Sequence, residues 1–136
     1  MRSSFLYIGI ASVLVIGIVF WQWKHPTTVT PARGEVAVTI SYVDDGYVPS
    51  EVTIRKGQAV RWVNDASGDM WPASAVHPTH SLYPGPNSAE CLGSSFDACQ
   101  GLPRGSSWDY TFTHVGEWRF HDHIRPSKTG VVNVIE

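Results

Sequence analysis

After residue 34 the chain reads as short runs in which apolar and polar positions alternate, each cut off by a turn signal. Over residues 35–43, Val36, Val38, Ile40 and Tyr42 share one face, and Asp44-Asp45-Gly46 closes the run. Residues 52–55 predict a second strand, Lys56-Gly57 a tight turn, and residues 58–64 a third strand. Residues 107–114 alternate through Trp108, Tyr110 and Phe112; Val115-Gly116 turns the chain into a strand over 117–123, and 129–135 closes it. Period-two runs with frequent turns are the pattern of a β-sandwich or barrel. Between residues 65 and 106 lies a long connection rich in Pro, Gly, Ser and Asn, and such a loop carries function or hides short elements.

The beginning of the chain has a different character. Residues 5–23 contain no charge and are long enough, as a helix, to cross the hydrocarbon core, which takes about 20 apolar residues. Phe20, Trp21 and Trp23 stand at its far end, where aromatic rings favour the interface. A cleaved leader has a shorter apolar stretch and a small-residue cleavage site, which this segment lacks. The expected organisation is an uncleaved transmembrane signal-anchor over 1–24, a Pro/Thr linker over 25–34, and one β domain over 35–136. No internal repeat is visible.

Composition narrows the class. A chain of 136 residues with 12 Gly, 9 Pro and 6 Trp has room for one domain and too little Leu, Glu and Lys for a helical bundle. Residues 35–136 hold seven Lys/Arg against twelve Asp/Glu, so the domain is acidic and disfavours nucleic acid. The two cysteines, Cys91 and Cys99, are too far apart for a C-x-x-C motif and fit a loop disulfide. Disulfides persist outside the cytoplasm, which places the domain in the periplasm or outside the cell, held to the membrane by its N-terminal helix.

Two segments carry a family resemblance. Tyr47-Val48-Pro49, Val52-Thr53-Ile54, Gly57 and Val60-Arg61-Trp62-Val63-Asn64 form the first; Tyr110-Thr111-Phe112, Gly116 through His123, Pro126 and Gly130-Val131-Val132 form the second. In this order they resemble the cupredoxins, small copper-binding Greek-key β-sandwiches, over nearly all of 35–136. The resemblance implies an all-β fold. It also implies four positions for a blue (type 1) copper site, and these fall on Met70, Asp122, Arg125 and Lys128. None is the usual His, Cys, His or Met, so the soft thiolate centre of blue copper is absent. On β alternation Asp122 points to the core with Trp118 and Phe120, and Arg125 is its expected ion-pair partner.

The same alternation puts His121 and His123 together on the opposite face. His121-Asp122-His123 resembles the His-x-Cys-x-His of multicopper oxidases with Asp in the Cys position, and His77-Pro78-Thr79-His80 supplies a second pair from the long loop. These four histidines are the expected metal ligands, with Asp122, Met70 and Asp69 as weaker candidates. Imidazole suits copper, expected as Cu(II), ahead of zinc. Trp71 either covers this site or caps the sandwich, while His25 and His114 are read as structural or solvent-facing. No hydrolase triad, G-x-S-x-G elbow or phosphate-binding glycine loop occurs, so the chain is not read as an enzyme. The preferred function is a membrane-anchored extracytoplasmic copper-binding protein for copper handling or redox, with a redox or copper-delivery protein as partner. A metal-free interaction module docking on a membrane protein and an atypical electron-transfer protein are the alternatives.

Overall fold

The computed structural model describes residues 34–85, 93 and 95–136. The expected membrane anchor, most of the linker, His25 and Cys91 lie outside these residues. Cys99 is not a free thiol. Among the described residues no helix is long and apolar enough to cross a membrane.

The described part is all-β, as expected. Eight strands come in order: β1 (Val36–Val43), β2 (Gly46–Val48), β3 (Glu51–Arg55), β4 (Ala59–Asn64), β5 (Pro72–Ser74), β6 (Ser107–Thr111), β7 (Gly116–Asp122) and β8 (Thr129–Ile135). They form two four-stranded sheets with orders β2-β1-β4-β6 and β3-β8-β7-β5. β1 pairs with β4 and β3 with β8 in parallel; the other pairings are antiparallel. Gly57 sits at φ +92°, a left-handed value that favours glycine, and so allows the tight β3–β4 turn.

The core lies between the two sheets and is built from the inward position of each alternating strand. Ile40 and Tyr42 of β1, Val60 and Trp62 of β4, and Phe120 of β7 are all essentially inaccessible. Trp62 is central: its ring centre lies 5.3–6.3 Å from those of Phe96, Trp108, Phe112 and Phe120. Phe96 and Tyr83 come from the long connection, which therefore folds back into the core instead of ranging over the surface.

Two elements are absent from the alternation pattern. β2 is a three-residue return after the Asp44-Asp45-Gly46 turn, and β5 is a three-residue edge strand on β7. Both are too short to show a period. β5 fixes the surroundings of the β7 histidine, because its register sets Ala73 opposite His121 and Ser74 opposite Phe120.

Trp62→Ala removes the ring that joins both sheets, and a truncation of this kind costs about 3–5 kcal/mol. Denaturant unfolding of the two proteins checks it: the midpoint falls with the slope unchanged.

Candidate metal centre

The candidate site grows from the pleat of β7. Trp118, Phe120 and Asp122 face the core, whereas Arg119 and His121 face away from it, with His123 just past the strand end. The outer face is not open at its C-terminal end. β5 pairs beside it, and the chain after β5 turns back over His121 through residues 75–82. Within this turn the His80 amide donates to the Val76 carbonyl at 2.8 Å, and Leu82 donates to the Ala75 carbonyl at 2.6 Å. His80 holds φ +49°, a left-handed backbone that histidine tolerates better than most residues. The turn carries His77 and His80 onto β7.

All four predicted histidines meet there. His77, His80, His121 and His123 each offer a ring nitrogen, and the four nitrogens lie within 4.8 Å of one another. Ring centres of His77–His80 and His121–His123 are 6.2 and 6.4 Å apart; the four remaining separations run from 4.7 to 5.3 Å. Two long opposite edges and four short ones describe a flattened tetrahedron, between a regular tetrahedron and a square plane. His80 Nε2 and His123 Nδ1 face each other at 2.9 Å. Two nitrogens bound at about 2.0–2.1 Å and at a right angle to one metal sit about that far apart.

Alternation alone leaves His121 and His123 as exposed imidazoles, and the structure corrects this. His121 is 3% exposed and His80 fully buried; His123 is half-buried and only His77 lies open to solvent. The cover comes from the 75–82 turn and from Trp71, whose ring centre lies 4.4 Å from that of His123. Trp71 therefore covers the cluster. His121 Nε2 is buried with no hydrogen-bond partner among the described residues, an uncompensated polar atom that a metal would satisfy. Burial, then the neighbouring imidazoles of His80, His77 and His123, push the His121 pKa down to about 4. Burial, then the imidazoles of His80 and His77, lower that of His123. His121 and His123 are thus favoured as neutral imidazoles, the form that ligates.

The weaker candidates sit elsewhere. Met70 is fully buried in the core, bridged by its backbone to Leu102, and Asp122 faces inward, away from the cluster. Asp122 is held by more than the expected partner. Its Oδ2 accepts from the Tyr42 hydroxyl at 2.5 Å and its Oδ1 from the Trp71 amide at 2.9 Å. Arg125 Nη1 stands 3.6 Å from Asp122 Oδ2 and donates instead to the Tyr42 hydroxyl and the Asp69 carbonyl, both at 3.0 Å. The Arg–Asp contact is present but loose, and tyrosine is the main partner. Burial, then the hydrogen bond to Asp122, pushes the Tyr42 pKa up to about 12. Lys128 donates to the Asp44 carbonyl and lies over the Tyr42 ring. Three of the four type 1 positions are therefore tied into one polar network that closes this end of the sandwich, and the fourth, Met70, is core.

Two residues at the cluster have no signature in the sequence. Asp97, 4% exposed, bonds to His80 Nδ1 at 2.5 Å. Gly93 packs on the backbone of the histidine turn so closely that a Cβ there would lie 1.8 Å from the Thr79 carbonyl oxygen. Neither lies in a periodic run, and no residue-type signal marks either one.

This geometry has two measurable outcomes. For the metal-free chain, a His121 pKa lowered from about 6.5 to about 4 means that the unfolded state binds the extra proton between those values. Stability is then complete above pH 6.5 and falls on acidification towards pH 4, by at most about 1.4 kcal/mol per pH unit for that group. Unfolding at pH 7, 5.5 and 4 measures this slope, and His121→Phe flattens it. Tyr42→Phe leaves Asp122 without its closest donor and costs about 1–3 kcal/mol, while metal uptake by the chain stays as it was.

No family model matches this sequence, and no curated protein is similar to it at the sequence level. Similarity appears among solved structures. A purple cupredoxin from Nitrosopumilus maritimus aligns with a TM-score of 0.56 at 19% identity, over 72% of this chain and 99% of that one. A copper-containing nitrite reductase from Thermus scotoductus aligns with a TM-score of 0.58 at 20% identity, over 85% of this chain but only 26% of that one. A mutant of amicyanin in its reduced state gives 0.56 at 16% identity, over 77% and 86%. At these identities the likeness is one of fold: the chain has the cupredoxin fold, with a four-histidine cluster in place of the type 1 ligand pattern.

Proposed function

We propose that this chain binds a single copper ion through His77, His80, His121 and His123. The observation that carries the reading is four ring nitrogens within 4.8 Å of one another, one of them buried and unpartnered. The donor set is all nitrogen, which suits copper and zinc alike. Copper is preferred because it leads the divalent series in affinity for such donors. Bound copper would supply a one-electron couple or a transferable cargo. The chain's own residues keep His121 and His123 neutral, bury three of the four imidazoles at least in part, and leave His77 at the surface as the approach to the site.

The N-terminal apolar segment is proposed to anchor the domain in the membrane. The domain then stands outside the cytoplasm, where a Cys91–Cys99 disulfide would persist and where copper is exchanged with a delivery or redox partner. Copper handling is the role that an all-imidazole site without thiolate supports.

Titrating the full-length chain with Cu(II), with metal analysis and EPR, tests the reading. The expected result is one copper per chain with nitrogen hyperfine structure and no intense blue band. His121→Ala/His123→Ala loses that copper. Wild-type binding no tighter than that of the double variant overturns the copper role and leaves a metal-free docking module.

A further inference from the structure

One buried carboxylate touches His80 directly and reaches His123 through Trp71. The segment around Asp97 runs antiparallel to β5, with the Ala98 amide donating to the Pro72 carbonyl at 3.0 Å and the Ser74 amide to the Phe96 carbonyl at 2.8 Å. In this register Phe96 enters the core and Asp97 faces the histidine turn. Its side chain is fully covered, as is that of His80. Oδ2 meets His80 Nδ1 at 2.5 Å; Oδ1 accepts from the Trp71 indole at 2.6 Å and the Cys99 amide at 2.7 Å. Trp71 in turn packs its ring on His123.

We infer that Asp97 is a positioning residue for the metal, acting through His80 directly and through Trp71 on His123; this rests on the copper reading above. A carboxylate has only acceptor sites, so the His80 proton must sit on Nδ1. That leaves Nε2 as a lone pair aimed at His123 Nδ1, 2.9 Å away. In the metal-free chain His123 Nδ1–H therefore donates to His80 Nε2, and holding a metal through both nitrogens would require the His123 proton on Nε2 instead. Imidazole ligands bring no charge to a divalent ion, and Asp97 is an anion one hydrogen bond from one of them. Such outer partners fix ring orientation and raise ligand basicity, and losing one costs about 10–100-fold in metal affinity.

Asparagine cannot replace this carboxylate. Three donors converge on it, and one side of an amide presents N–H₂. Either the Trp71 and Cys99 donors lose their acceptor, or His80 changes tautomer and turns a proton towards the metal.

The test has two parts, both on the full-length chain. Long-range ¹H–¹⁵N NMR of the metal-free wild type reads the His80 tautomer, and Nδ1–H is expected; finding Nε2–H overturns the inference whatever copper does. Cu(II) affinity and EPR are then compared for the wild type and Asp97→Asn. A fall of about 10–100-fold with altered nitrogen hyperfine splitting and an unchanged β circular-dichroism spectrum supports the inference. Unchanged affinity and spectrum in the variant overturn it. If the variant does not fold, Trp71→Phe, which removes one of the three donors and keeps the ring on His123, is measured instead. A smaller loss of affinity with a shifted EPR spectrum supports the role, and no shift opposes it. A wild type that binds no copper while His80 carries Nδ1–H overturns the copper reading and not the tautomer assignment.

Discussion

Four imidazole nitrogens lie within 4.8 Å of one another, and holding them that close organises this end of the molecule. A protonated ring at His121 would be desolvated first of all, and would also share this space with any charge on His80, His77 or His123, which is why its pKa falls to about 4. The cost of that crowding is offset by elements far apart in sequence. β7 and the residue just after it supply two rings, the turn after β5 supplies two more, Trp71 covers them, and Asp97 meets the outward nitrogen of His80. If any of these is withdrawn, His80 or His123 is free to turn away.

The pleat of β7 explains how one short sequence serves two purposes. Asp122 lies between His121 and His123 in the chain but faces the other side of the sheet. There it meets Tyr42 and closes the sandwich, at one of the positions that the sequence resemblance implies for a type 1 ligand. The side chains on the two faces are unrelated in chemistry because alternation separates them. The sandwich thus keeps its shape with the inner positions filled by a Tyr–Asp–Arg network, while the cluster sits on the outer face of the same strand.

Much of this was legible in the sequence, and the reasons differ by residue. Long alternating runs such as 35–43 and 129–135 carry their own period, so the strands and their inward faces follow from them, while the particular fold was legible through the motifs that resemble the cupredoxins. His121 and His123 share a face for the same reason, and His77 and His80 fit as the second pair because they fall in the long connection. Burial of His121 was not legible, because it depends on β5, whose three residues show no period. Asp97 and Gly93 were invisible for a related reason: both act through contacts made by an irregular segment whose course only the folded chain reveals. The Arg125–Asp122 pair was inferred from proximity in sequence, whereas the closer partner, Tyr42, is 80 residues away.

The central claim is that a nitrogen-only site lies within one chain of this fold. X-ray absorption at the copper edge of the loaded full-length protein addresses it most directly. Four nitrogen scatterers in the first shell, with the multiple scattering of imidazole rings and no sulfur, are what the cluster requires. A sulfur scatterer, or fewer than three imidazoles, would contradict it.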